Sequence, residues 1–412
     1  MKKLVILGAG TAGTMIANHL HKRLKHKDWE VTLLDPNPDH YYQPGFLFVP
    51  FGIYSIEDTK KPKQKFIPSG MQLVQKGVEA IEPDKNQLIL EGGEKLSYDI
   101  LIVATGSRIV PEETEGMKDR LWRKKIFDFY TPEGAVELYK ALQNFEGGDL
   151  VIHLTEMPIK CPVAPLEFSF LADWYLTKKG LRNKTRITYV TPLSGAFTKP
   201  VTTKVLGEVF ARKNIALEAD FMVEHIDNEK QKLVSYDERE VPFDLLVTIP
   251  TNMGAKVIET SGFGDDLYFI PTDHGTLQSK VAENMFVIGD ATNVPASKAG
   301  SVAHFEAEIL IENILAYIDG KEFPEKFDGH ANCFIESGFK KGFLIDFNYD
   351  HEPVPGKFPF AGIGPLSLLK ESRLNHLGKM AFRWIYWNML LKARKIPGVT
   401  ARMKLSGKKF PK

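Results

Sequence analysis

The chain has 412 residues, 43% hydrophobic and 25% charged, with 33 Gly and 25 Pro. That composition excludes disorder, collagen and coiled coil and suits two or three globular domains with cores of their own. A net charge of +1, from 53 basic and 52 acidic residues, provides no overall field for nucleic acid, and no nucleic-acid partner is expected. The charge is unevenly spread. Residues 366–412 hold twelve Lys/Arg against Glu371 alone, +11, which leaves 41 basic and 51 acidic residues, −10, in the rest.

The opening MKKLVILGAG imitates a signal peptide, but its apolar run breaks at Gly8. It reads as a first strand, so a cytoplasmic-side location is expected. Residues 4–7 are continuously apolar and lead into Gly8-Ala9-Gly10-Thr11-Ala12-Gly13, then a helical pattern to about Lys25. Gly8 permits the tight turn, Gly10 lets backbone N–H groups reach a pyrophosphate, and Gly13 allows helix and strand to pack closely. Residues 31–34 read as a second strand ending at Asp35, placed to accept ribose hydroxyls.

Two further buried strands end in motifs. Tyr98-Asp-Ile-Leu-Ile-Val-Ala-Thr-Gly106 runs into Thr105-Gly106, and Asn284-Met-Phe-Val-Ile-Gly-Asp290 ends in Gly289-Asp290. The pair resembles the motifs of two-dinucleotide-domain flavoproteins, the broad family that includes the disulfide reductases. The resemblance implies FAD, with Gly289 and Asp290 near its ribityl and pyrophosphate region and a helix starting near Gly300 aimed at its ring. Asp290 as a plain turn acid, and His304 as an ordinary core histidine, are the alternative readings. The expected fold is α/β: an FAD domain from residues 1–110 and 265–325, a second Rossmann-like domain at 111–264, and a C-terminal cap at 326–412.

The second domain has the expected strand, Asp149-Leu-Val-Ile-His-Leu154, but not the glycines after it. Glu156 and Pro158 stand where a pyrophosphate would need bare backbone N–H groups, which argues against NAD(P)H. Just beyond is Cys161, at a turn into a helix and beside Lys160, a setting expected to favour thiolate. The other cysteine, Cys333, lies in the strand-like Ala331-Asn-Cys-Phe-Ile-Glu336. A separation of 172 positions fits neither a disulfide framework nor a zinc motif, and no metal is expected. In a chain with two cysteines, convergence on one flavin face would make them a redox pair, an inert buried thiol being the alternative reading for each.

Ile159-Lys-Cys-Pro-Val-Ala-Pro-Leu-Glu-Phe168, Val190-Thr-Pro-Leu-Ser-Gly-Ala-Phe-Thr-Lys-Pro200, Cys333-Phe-Ile-Glu-Ser-Gly-Phe339, Leu344-Ile-Asp-Phe-Asn-Tyr-Asp350 and Pro365-Leu-Ser-Leu-Leu-Lys-Glu-Ser-Arg-Leu-Asn-His-Leu-Gly-Lys379 resemble the sulfide:quinone oxidoreductase family. The resemblance implies oxidation of hydrogen sulfide to sulfane sulfur or polysulfide at Cys161 and Cys333, with two electrons passing through FAD to a membrane quinone. It leans to Cys333 as the thiol that meets the flavin and Cys161 as the holder of sulfane sulfur, with Glu167 relaying protons. Many bacterial members carry a third cysteine followed four residues on by a histidine. Near those places this chain has Tyr130 and Gly134, so the FAD is expected to be noncovalent.

A quinone tail lives in lipid, and no stretch here approaches the roughly 18 apolar residues that span a bilayer. Instead Leu366, Leu368, Leu369, Leu377, Met380, Ala381, Trp384, Ile385, Trp387, Met389 and Leu390 alternate with Lys370, Arg373, Lys379, Arg383, Lys392, Arg394 and Lys395. These read as amphipathic helices lying in a membrane surface, as in a monotopic protein, with the tail past Pro397 adding mainly electrostatic attraction. Phe334, Phe339, Phe358, Phe360 and Lys370 are candidates for the quinone slot; self-association into a homo-oligomer is left open. The alternatives are a type II NADH:quinone dehydrogenase, which needs the missing glycine loop, and a non-catalytic, membrane-associated, flavin-containing sulfur carrier.

Overall fold

A computed structural model describes residues 1–24 and 28–410. Its body is two five-stranded parallel sheets. The first runs in the order Met285–Val287, Ile100–Val103, Lys2–Leu7, Trp29–Leu34, Gln72–Val74. Leu4 to Leu7 form an unbroken apolar run because this central strand is covered on both faces. After the glycine turn comes helix α1 (Thr11–Arg23); Lys25, the expected end of that helix, lies outside the described residues.

The chain then enters α2 (Pro132–Asn144), which is capped by the Thr131 hydroxyl accepting the Gly134 N–H at 3.0 Å. The second sheet repeats the parallel layout in the order Ile126–Phe127, Leu245–Ile249, Gly148–Leu154, Thr185–Val190, Ile215–Glu218. Helices α3 (Ala164–Lys178) and α4 (Pro200–Arg212) pack on it. The two passages between sheets, Ser107–Ile109 and Asn252–Gly254, pair with each other as an antiparallel ribbon. Short α5 (Lys256–Ser261) ends at Gly262 in the left-handed region, and α6 (Gly300–Ile318) returns against α1.

Beyond α6 a hairpin of Ala331–Gly338 and Lys341–Phe347 leans on α3 and on α7 (Arg373–Ile385). Ser372 caps α7 by accepting the Asn375 N–H at 3.1 Å, and a π-helical turn, Tyr386–Leu390, follows it. The expectation of amphipathic helices from Pro365 onward is therefore corrected to one helix. Leu366–Leu368 is a strand paired with Gly356–Phe358, and Trp387, Leu390 and Leu391 are buried in the core. Among the described residues no helix is long and apolar enough to cross a membrane.

The tail past Pro397 also departs from expectation, because it is built into the cap. Lys408 reaches Asp346 at 2.6 Å with both side chains buried, and Asp346 in turn meets His330 Nε2 at 2.7 Å. Arg402 pairs with Glu325, and the Met403 N–H donates to Asp328 at 3.0 Å. A buried carboxylate needs its cations close by, so the ion pairs fix this stretch where sequence charge alone suggested a solvated tail.

Candidate active site between the glycine loop and two thiols

Gly8, Gly10, Thr11, Ala12, Asp35, Thr105, Gly106, Gly289, Asp290 and Gly300 line one cavity. Gly13 does not line it; a Cβ there would stand 1.8 Å from the Gly8 carbonyl oxygen, so its role is packing. A Cβ on Gly8, at φ +99°, would come within 2.5 Å of the Ala104 carbonyl, whereas one on Gly10 would meet nothing within 4 Å. Neither α1 nor α6 has a side-chain cap, and the first residue of each lines the cavity. Two helix N-termini with unspent N–H groups form an anion cradle. The Thr105 hydroxyl is buried without a partner beside them. These features fit a dinucleotide such as FAD.

Asp35 accepts the Ala9 N–H at 2.8 Å and the ammonium of buried Lys63 at 2.6 Å. Lys63, which opens a 3-10 turn 28 positions beyond Asp35, could not be anticipated from local pattern. Asp290 is held above the usual carboxylate range by burial, opposed by Lys298 and Lys160. In the second domain, the N–H groups of Thr155, Lys160 and Cys161 are occupied by Ile249 O, Asn252 Oδ1 and Lys298 O. Three of the N–H groups in the loop that would cradle a second pyrophosphate are thus already engaged.

Cys161 lines the same cavity at φ +48°, three residues before α3, and both cysteines are free thiols. The expectation that helix dipole and Lys160 would favour its thiolate is corrected. Burial, then the Glu167 carboxylate, pushes the Cys161 thiol up to about 12, with Lys379 opposing. Lys160 instead turns its ammonium toward Gln43 Oε1 at 3.4 Å and the Tyr130 ring. Cys333, on the cap hairpin, is also buried and also raised to about 12, first by burial and with Lys379 opposing. Each thiol feels the same cation, and Cys333 contributes to the shift at Cys161.

Glu167, in the first turn of α3, has no exposed surface and is not a solvated helix glutamate. Its oxygens accept from Lys379 Nζ at 2.8 and 3.0 Å and from the Glu336 N–H at 2.7 Å. Burial works against the charge on Lys379, yet Glu167, then Cys161, hold it above the usual lysine range. Lys379 was visible in the sequence only as one of several basic residues on a helix. Its signal was spacing: Lys379, Phe382 and Tyr386, at i, i+3 and i+7, all line the cavity. Leu374, Leu377, Ala381 and Trp384 occupy the opposite face and are exposed.

His304 lies behind the cavity wall, buried, its pKa lowered to about 4 by burial, which leaves it a neutral core residue. Tyr130 is buried and donates its hydroxyl to the Lys160 carbonyl at 2.6 Å. A Cβ on Gly134 would come within 2.5 Å of the Asp128 carboxylate that pairs with Arg123.

None of the five quinone candidates lines this cavity. Phe334 packs its ring against Gly378 of α7, but Phe339 is an exposed hairpin tip under Lys213. Phe358 and Phe360 lie beside Gly364 and Gly398, and Lys370 is exposed. Around the cavity itself the aromatic wall is Tyr41, Phe46, Phe129, Tyr130, Phe382 and Tyr386.

Residues 2–138 match the pyridine nucleotide-disulphide oxidoreductase family. The chain is 28% identical over 398 residues to the mitochondrial sulfide:quinone oxidoreductase of Dictyostelium discoideum, covering 95% of this chain and 86% of that protein. It is 30% identical over 386 residues to a type II NADH:quinone oxidoreductase of Staphylococcus aureus, covering 86% and 92%. The crystal structure of sulfide:quinone oxidoreductase from Aquifex aeolicus superposes with a TM-score of 0.79 at 22% identity, covering 95% of this chain and 92% of that one.

Proposed function

Because the chain belongs to the sulfide:quinone oxidoreductase family, within the pyridine nucleotide-disulphide oxidoreductases, we propose that it oxidises sulfide at Cys161 and Cys333 and delivers the electrons to a quinone drawn from a lipid surface. The single observation that carries the assignment of residues is the buried Lys379–Glu167 pair, whose cation acts on both thiols. The type II NADH:quinone oxidoreductases share the architecture, but their activity calls for a nicotinamide site, and the loop at residues 155–161 has already spent the backbone N–H groups of Thr155, Lys160 and Cys161.

The enzyme is an FAD-dependent flavoprotein. Gly8, Gly10, Thr11, Ala12, Asp35, Thr105, Gly106, Gly289, Asp290 and Gly300 are the residues that would hold the FAD. When bound, it supplies a two-electron store between sulfur and quinone. Hydrosulfide attacks a Cys161–Cys333 disulfide, so one S–S bond forms as the other breaks, leaving a persulfide on one cysteine and a thiolate on the other. Burial raises both thiols to about 12 even with Lys379 opposing it, and Lys379 is the cation placed to stabilise the leaving thiolate. Glu167 keeps Lys379 charged and in place. Over a full cycle hydrosulfide, one proton from the medium and quinone give sulfane sulfur and quinol.

Lipid contact falls to the outer face of α7. Leu377 and Trp384 are 58% and 62% exposed. Basic residues on the same segment would meet acidic head groups. The quinone slot of this reading is the cavity wall of Tyr41, Phe46 and Phe382, in place of the phenylalanines that do not line it. Purified protein should reduce a soluble quinone with sulfide and not with NADH. Equal turnover with NADH would favour the type II dehydrogenase instead.

A further inference from the structure

One hydroxyl joins the C-terminal segment to the dinucleotide loop. Tyr386, 1% exposed, lies 2.6 Å from the Thr11 hydroxyl and 2.7 Å from His40 Nε2. Thr11 is the first residue of α1, the helix whose uncapped N-terminus opens on the cavity. At the other end of that helix, Lys22 donates to the Lys392 carbonyl at 2.7 Å and to the Ala393 carbonyl. The segment after α7 therefore grips α1 at both ends, across eleven residues and roughly 16 Å of helix.

The grip is closely packed. Trp387 stacks on Phe66 at 5.1 Å, lies edge-on to His40 at 5.5 Å, and carries the Lys61 ammonium over its ring. Burial lowers His40 to about 3, so it stays neutral, and its other ring nitrogen has no side-chain partner. The charged groups facing it are Lys63 and, through Lys63, Asp35. Leading up to the grip, the opposite face of α7 carries the exposed Leu377, Ala381 and Trp384.

We propose that Tyr386 is a positioning residue for the dinucleotide, and that through it seating of α7 on a lipid surface tightens the hold on FAD. This rests on the lipid-surface reading of α7 given above. The hydroxyl fixes the Thr11 side chain, and with it the first turn of α1 whose N–H groups would meet the pyrophosphate. A surface that holds α7 still removes the freedom of the grip to open, and linkage requires the reverse effect: the FAD-loaded protein must bind the surface more tightly than the apoprotein by the same factor.

The test is FAD release from the holoprotein, followed by the rise in flavin fluorescence, with and without vesicles of 30% anionic and 70% zwitterionic phospholipid (composition chosen as about one anionic lipid in three). For the wild type the equilibrium retention of FAD should rise at least about fivefold on vesicles, matched by the holo-to-apo ratio of vesicle affinities. Tyr386→Phe should still sediment with vesicles but lose FAD faster and show no vesicle effect. Thr11→Val removes the same hydrogen bond from the other side and should behave alike, which covers a folding failure of either variant. Binding to vesicles without any change in FAD retention overturns the coupling while leaving the lipid-surface reading intact. Failure to bind vesicles overturns both, and a Tyr386→Phe protein that keeps the full vesicle effect overturns the role of the hydroxyl.

Discussion

Glu167 on α3 and Lys379 on α7 meet at 2.8 Å, with 0% and 9% of their side chains exposed. The two residues lie 212 positions apart in the chain, and the ion pair is where the second sheet domain and the cap meet. A buried charge left without its partner is costly, about 3–5 kcal/mol. Lys379→Met should therefore destabilise by that order in denaturant unfolding, and adding Glu167→Gln should recover much of it.

The same pair sets the reactivity of the thiols. With Cys161 and Cys333 both raised to about 12, the reduced protein should react slowly with iodoacetamide at neutral pH. The sign follows from linkage. A raised thiol pKa favours the native state fully below the ordinary cysteine value of about 8.5, and that advantage is lost as pH climbs from there toward 12. The alkylation profile of the reduced protein should rise only in the alkaline range, and in the Lys379→Met, Glu167→Gln double variant its change would report how far the cation outweighs the carboxylate. A profile with a midpoint near 8.5 in the wild type would contradict the enclosed site.

On α7 the two tryptophans have opposite surroundings. Trp384 is 62% exposed, whereas Trp387 is 4% exposed within an aromatic cluster. Leu377→Glu with Trp384→Glu should abolish sedimentation with anionic vesicles while sulfide still bleaches the flavin. Trp387→Glu should instead lower Tm, since truncating a buried aromatic alone costs about 3–5 kcal/mol. Vesicle binding unaffected by the double change would mean that the outer face of α7 is not the lipid contact.

The tail gives a stability prediction. Ending the chain at Pro397 strips Lys408 from Asp346, whose carboxyl is lowered chiefly by the His330 contact against the cost of burial. Deletion should cost roughly 3–5 kcal/mol. Because the folded pKa of Asp346 is depressed, its contribution is present above about 3.9 and fades as pH falls through the folded value. The deletion should therefore unfold more readily at neutral pH, with the difference shrinking in strong acid. Equal neutral-pH midpoints in urea for the two proteins would show that the tail is dispensable.

FAD should be released entirely by acid precipitation. Both cysteines are taken up in the thiol site, and Tyr130 is hydrogen-bonded to the loop of Cys161. Yellow colour retained by the washed polypeptide would be the contrary result.

What could be read in advance follows from locality. Gly8, Gly10 and Gly13 announce a strand, turn and helix within a dozen residues, so the dinucleotide loop was legible from pattern. Strand Lys2–Leu7 likewise declares itself by its unbroken apolar run. Lys63 on Asp35, Lys379 on Glu167 and Tyr386 on Thr11 join residues 28, 212 and 375 positions apart, and no local pattern encodes such meetings. The cationic C-terminal segment was read by its composition. Its division into an inner face of Lys379, Phe382 and Tyr386 and an outer face of Leu374, Leu377 and Trp384 needed the helix phase, and Asp346 took Lys408 out of the solvated set altogether. The thiolate expected at Cys161 failed because dipole and Lys160 were weighed without the burial that outweighs them.

The central claim is that sulfide reaches the flavin only through Cys161 and Cys333. Anaerobic single-turnover absorbance of the FAD-loaded wild type, Cys161→Ala and Cys333→Ala, each mixed with sulfide, tests it directly. The account predicts complete bleaching of the wild type, and none in either variant despite normal FAD content. Bleaching of either variant at the wild-type rate would contradict it.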